Sequence, residues 1–89
     1  MIIVSQDKEK IVNFDNLTQL YITQDEEETA YFIRFETVYS LYDDLGEYET
    51  EERAKEVLQE ITTRHENWEN MKVGQPSGIC LPVYEMPED

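Results

Sequence analysis

The apolar period of this sequence changes at about Thr50, and that change decides most of what the chain can fold into. Over residues 1–49 β-branched and aromatic residues dominate, with apolar positions recurring close to every second residue. Ala54, Val57, Leu58, Ile61, His65 and Trp68 then recur at helical spacing. Strands followed by one amphipathic helix define the α+β class. The expected architecture is an antiparallel sheet of four or five strands, packed on one helix in the C-terminal half, with a final C-terminal edge strand. At 89 residues the whole of 1–89 reads as a single small acidic α+β domain.

Expected strands cover 2–4, 10–14 and 17–23, the last following an Asp15-Asn16 corner whose side chains suit turn geometry. Asp25-Glu26-Glu27-Glu28 reads as a solvated hairpin tip. The longest strand runs over 29–39, with Tyr31, Ile33 and Phe35 on one face and Phe32, Arg34 and Glu36 on the other. Asp43-Asp44 is expected to turn the chain into a short strand over 45–48, where Gly46 signals a bulge or a close backbone approach. Thr50 can cap a helix over about 50–68, and Glu51 and Glu52 suit its N-terminal dipole. Val57, Leu58, Ile61 and Trp68 are expected to face the sheet. Glu51 with Lys55, and Glu60 with Arg64, have the spacing of helix-surface ion pairs. A loop is expected over 74–78, and then an extended apolar run over 79–81 before Pro82.

Composition narrows the function. Twenty-one acids against seven Lys and Arg give a net charge of −14, which repels phosphate backbones and anionic lipid, so neither direct nucleic-acid binding nor membrane binding is expected. With 39% hydrophobic and 11% aromatic residues the chain still has the means to fold. One cysteine, Cys80, permits no internal disulfide, and no apolar run reaches the ~20 residues of a membrane helix. A cytoplasmic protein is expected.

Catalytic chemistry finds little support. The single histidine, His65, falls on the apolar stripe of the helix and reads as a packing residue, and Cys80 has no basic neighbour to activate it. No phosphate-cradling glycine loop is present, and the chain has only three glycines. Asp43-Asp44-Leu45-Gly46-Glu47 lacks the ligand spacing of a calcium loop and would hold Ca²⁺ or Mg²⁺ only adventitiously. No catalytic residue, cofactor or metal site is therefore expected.

The acids themselves are unevenly spread. Between Asp25 and Glu60 lie thirteen acids and three bases, a net of −10. Such a surface either keeps a small domain soluble or presents carboxylates to a basic groove of another protein. On the second reading the contact residues are Asp25, Glu26, Glu27, Glu28, Asp43, Asp44 and Glu47, interleaved with Tyr42 and Tyr48. The expected partner is a basic protein surface, such as that of a nucleic-acid-binding host protein. A housekeeping interaction domain or homo-oligomer, such as a homodimer, with charge serving solubility alone, is the alternative.

The stretches Met1-Ile2-Ile3-Val4-Ser5-Gln6-Asp7, Ile11-Val12-Asn13-Phe14-Asp15-Asn16-Leu17, Leu45-Gly46-Glu47-Tyr48-Glu49-Thr50-Glu51-Glu52-Arg53-Ala54-Lys55-Glu56-Val57-Leu58 and Val83-Tyr84-Glu85-Met86-Pro87 resemble a group of small proteins of Firmicutes genomes, found in prophage and mobile-element neighbourhoods. The resemblance carries no catalytic residue. It implies a small bacterial protein of phage or mobile-element setting, and by analogy an inhibitor of host defence of the anti-CRISPR kind.

Overall fold

The computed structural model describes residues 1–72 and 83–89. The expected loop over 74–78, the extended 79–81 run and Cys80 lie outside the described residues. In chain order the elements are β1 (Ile2–Val4), β2 (Ile11–Asn13), a 3₁₀ turn (Phe14–Asn16), β3 (Leu17–Gln24), β4 (Tyr31–Thr37), β5 (Tyr42–Tyr48), α1 (Glu51–Lys72) and β6 (Val83–Glu85). The class is α+β, with one helix packed on strands and a C-terminal strand at a sheet edge.

The strands divide between two three-stranded sheets, β3-β4-β5 and β2-β1-β6. The first is antiparallel throughout. In the second, β1 pairs antiparallel with β2 and parallel with β6, matching Ile3 to both Val12 and Tyr84. Both edges of β1 are thereby filled, so it has none left to join the larger sheet. The sheets meet instead at residue 6, where the Gln6 amide donates to the Leu45 carbonyl (2.8 Å) and the Gln6 Oε1 accepts from the Glu47 amide (2.7 Å).

Three hairpins turn by one device. Lys8, Glu28 and Ser40 have φ of 64°, 59° and 62°, and the amide of each donates to the carbonyl three residues back, on Ser5, Asp25 and Thr37. Each is a tight turn with a hydrogen bond back to the third preceding residue, closed by a residue in the left-handed conformation. The last turn corrects an expectation: the chain reverses at 38–40, ahead of Asp43-Asp44, and those two acids lie within β5. Ser40 takes the left-handed conformation there. The carboxylates of Asp43 and Asp44 are drawn to Lys10 (3.8 Å) and Arg34 (2.9 Å), which suits them to a strand.

Helix α1 starts as its sequence demands. Thr50 Oγ1 accepts from the Arg53 amide (3.1 Å), and Glu51 pairs with Lys55 (2.9 Å). Ala54, Val57 and Ile61 are fully buried on the antiparallel sheet, while Leu58, His65 and Trp68 flank that line half-buried. Leu58 is thus a shoulder of the packed face rather than its centre. Glu60 accepts a hydrogen bond from the Tyr84 hydroxyl (2.9 Å) and Arg64 lies over the Tyr84 ring (5.5 Å), so this expected ion pair is replaced by a joint grip on β6.

Met1, Ile3, Ile33, Leu45, Ile61 and Met86 fill one core shared by both sheets and the helix. Gly46 serves it by close approach: a Cβ there would stand 3.0 Å from the Tyr48 hydroxyl and 3.3 Å from Met86 Cε. Beside it the β4–β5 register shifts between Ile33 and Arg34, a bulge that turns Leu45 inward.

Truncation should separate the centre of the helix face from its shoulder. Ile61→Ala should cost about 2–5 kcal/mol, and Leu58→Ala about 1–2 kcal/mol. Urea midpoints of the two variants test the order, and equal midpoints would contradict this packing.

Candidate protein-interaction site

The β4–β5 hairpin builds an unusually apolar exposed surface among the described residues. Its tip carries Val38, Tyr39, Leu41 and Tyr42, which are between 63% and 82% exposed. An isolated exposed apolar residue is ordinary, but here four lie within five positions and form a patch. Thr37 holds the loop closed, its amide donating to the Leu41 carbonyl (2.9 Å). The tip is a defined loop.

Pairing register extends this surface along the outer face of β3-β4-β5. Glu36 is matched to Gln19 and Tyr42, and Arg34 to Tyr21 and Asp44. Gln19 Nε2 donates to Glu36 (3.1 Å), as does the Tyr21 hydroxyl (3.3 Å). Arg34 donates through Nε to Asp44 (2.9 Å) while its guanidinium lies 5.0 Å from the centre of the Tyr42 ring. The Asp44 hydrogen bond raises the Arg34 pKa further, so the cation stays fixed. The result is an aromatic-and-apolar tip set on a hydrogen-bonded, mixed-charge platform.

The expected contact residues separate on this frame. Tyr42, Asp43 and Asp44 flank the tip, with Asp43 also accepting from the Asp44 amide (2.8 Å) and lying 3.8 Å from Lys10. Asp25 to Glu28 lie at the other end of β4, on the β3–β4 turn. That is about six residues, or roughly 20 Å, from Tyr42. The two groups do not form one cluster.

Asp25 is a structural residue. Its carboxylate accepts from the Thr29 amide (2.7 Å), the Thr29 hydroxyl (2.6 Å) and the Ala30 amide (3.2 Å). The Thr29 hydroxyl bond, chief among these, holds its pKa below the usual carboxylate value. Glu26, Glu27 and Glu28 stand exposed on the turn that Asp25 organises, and Glu47 is exposed near the end of β5.

Tyr48, expected among the surface contacts, is a core residue and this corrects that expectation. It is 2% exposed, its ring abuts Gly46, and its hydroxyl donates to the Pro87 carbonyl (2.9 Å). Position 48 falls on the inner face of β5 opposite Tyr31, so the same alternation that exposes Glu47 buries it. Burial pushes its pKa up to about 12.

Reading 29–39 as one strand hides the exposure of Val38 and Tyr39, and Leu41 falls between that strand and the expected Asp43-Asp44 turn. A signal was present: consecutive apolar residues around Ser40 exceed what one buried face of a strand can accept. His65 is 25% exposed on its side chain and stacks on Phe14, with ring centres 4.3 Å apart. Among the described residues no helix is long and apolar enough to cross a membrane. Comparison with protein-family models, curated proteins and solved structures finds no match to the chain.

Two outcomes follow from these placements. Asp25→Ala should lower the denaturation midpoint, whereas Glu26→Gln should leave it unchanged; because the Asp25 pKa is depressed, its contribution is present above the ordinary carboxylate range and lost as pH falls through the folded value. Equal midpoints for the two variants would contradict the turn role.

At the alkaline end the sign reverses. An unfolded tyrosine ionises near pH 10 and folded Tyr48 near 12, so its contribution is full below about pH 10 and disappears as pH rises to 12. Unfolding free energies at about pH 9 and 11.5 should fall less steeply in Tyr48→Phe than in wild type.

Proposed function

We propose that this chain is a non-catalytic acidic protein-binding module that inserts its β4–β5 hairpin tip into an apolar pocket of a basic partner surface. The observation that carries this reading is the exposure of Val38, Tyr39, Leu41 and Tyr42 beside Glu36, Asp43 and Asp44. Aromatic side chains in a desolvated pocket supply most of the energy of a typical interface, and charge complementarity supplies encounter rate and orientation. The hairpin has both parts. A net charge of −14 favours a partner lined with Lys and Arg. Nucleic-acid-binding proteins of a bacterial host present such grooves, which accords with a cytoplasmic inhibitor of phage or mobile-element origin, of the anti-CRISPR kind.

A homodimer is the second reading. It is favoured by the outer face of the small sheet, where Ile11 and Val83 are exposed beside half-buried Ile2 and Val4.

The test is affinity capture from a bacterial host lysate, followed by binding measurements with the captured protein. Tyr39→Ser with Leu41→Ser should weaken binding about 30-fold or more, with stability within about 0.5 kcal/mol of wild type because both side chains are exposed. Glu26→Gln, Glu27→Gln and Glu28→Gln together should have a smaller effect. Raising salt from about 50 to 300 mM should slow association. A tip variant that binds like wild type refutes the reading, and a mass in solution of two chains, lost in Ile11→Lys, selects the homodimer.

A further inference from the structure

The 3₁₀ turn at Phe14–Asn16 and the later turns of α1 bring together three side chains that no contiguous motif connects. One ligand atom of each of Asp15, His65 and Glu69 lies within 4.8 Å of the other two. His65 and Glu69 are one helical turn apart and share a face, with His65 Nε2 and a Glu69 oxygen separated by 3.9 Å. Asp15 comes from fifty residues earlier, on the turn between β2 and β3, whose Phe14 ring lies against His65. Phe14, its chain neighbour, stacks on the imidazole and fixes the ring plane. The amide of Asp15 donates to Asn13 Oδ1 (3.0 Å), which fixes the backbone of the turn.

We propose that Asp15, His65 and Glu69 form a three-ligand site for a divalent first-row transition-metal ion, which pins the later turns of α1 to the β2–β3 corner. Two ligands bound to one ion at about 2.1 Å in tetrahedral geometry are about 3.4 Å apart, so modest side-chain rotations bring these atoms into place. The donor set decides the class of ion. Imidazole with two carboxylates suits Zn²⁺ and its neighbours, whereas Ca²⁺ takes six to eight oxygens and Mg²⁺ keeps most of its water. Two carboxylates neutralise the ion, and the field of a −14 chain raises the local concentration of divalent cations. Three protein ligands leave a fourth position for water. The site is a clamp between two elements.

The experiment titrates Zn²⁺ into chelator-treated protein, reading stoichiometry by calorimetry, thermal midpoint, and amide shifts by NMR. The expected result is saturable 1:1 binding, a raised midpoint, and shifts concentrated at residues 13–16 and 62–70. His65→Gln and Asp15→Asn should each weaken binding by about tenfold or more, while Asp43→Asn should bind like wild type. Asp15 is exposed, so its replacement leaves the core intact even if His65→Gln perturbs the packing on Phe14. The proposal is overturned by the absence of saturable binding in wild type, or by Asp15→Asn or His65→Gln binding as tightly as wild type. It is equally overturned if Asp43→Asn removes the binding, which would mark adventitious capture by surface carboxylates.

Discussion

The two sheets of this protein share a core but almost no ladder, and the side chain of Gln6 makes up the difference. Its Nε2 lies within hydrogen-bond distance of the carbonyls of Glu47 (2.9 Å), Pro87 (3.2 Å) and Glu88 (2.7 Å), while its Oε1 accepts from the Glu47 amide (2.7 Å). One amide thus serves the edge of β5 and the tail that follows β6. A glutamine suits this because it carries both donor and acceptor at one tip, which a charged side chain of similar length does not. The tail is held further by the Met86 amide on the Val4 carbonyl (3.0 Å) and by the Tyr48 hydroxyl on Pro87. With its ends fixed, Met86 can close the core over Gly46.

Strain is placed where polar side chains organise the turn. Left-handed backbone costs a non-glycine residue about 1–2 kcal/mol, yet Lys8, Glu28 and Ser40 all adopt it. In two of the three turns an aspartate offsets that cost: Asp7 Oδ1 accepts from Glu9 and from the buried Ser5 hydroxyl, and Asp25 from Thr29 and Ala30. The Ser5 bond is the main cause of the lowered Asp7 pKa. Some of the acid excess is thus fold chemistry rather than coat.

That distinction explains what the sequence disclosed and what it withheld. Elements set by local period were legible: β1, β3, the alternation of Ile33 and Phe35 against Arg34 and Glu36, the Thr50 cap and the Ala54, Val57, Ile61 stripe. The close approach at Gly46 was legible as well. What failed depended on partners distant in sequence. Asp43-Asp44 resembles a turn until Arg34 and Lys10 are placed opposite, and Tyr48 resembles a surface tyrosine until Met86 and Pro87 return over it. Val38 and Tyr39 have strand-forming side chains but occupy a turn, because register with β5 is set by the inward residues rather than by propensity at the tip. The grouping of Asp15 with His65 and Glu69 was hidden for the same reason, since a spacing of fifty residues carries no periodic signal.

The apolar hairpin tip and the acid excess also make sense together. An exposed cluster of this kind invites self-association, and a like charge on every copy opposes it, since two chains of −14 must approach against their mutual repulsion. Against a basic surface the same charges would attract, so under the proposed binding role the field that opposes self-association would also favour an oppositely charged partner. Arg34 is the local exception that the geometry requires. Held by Asp44 beneath the Tyr42 ring, it restricts the rotamers of that aromatic side chain in the free protein, which would lower the ordering cost of the contact proposed for the tip.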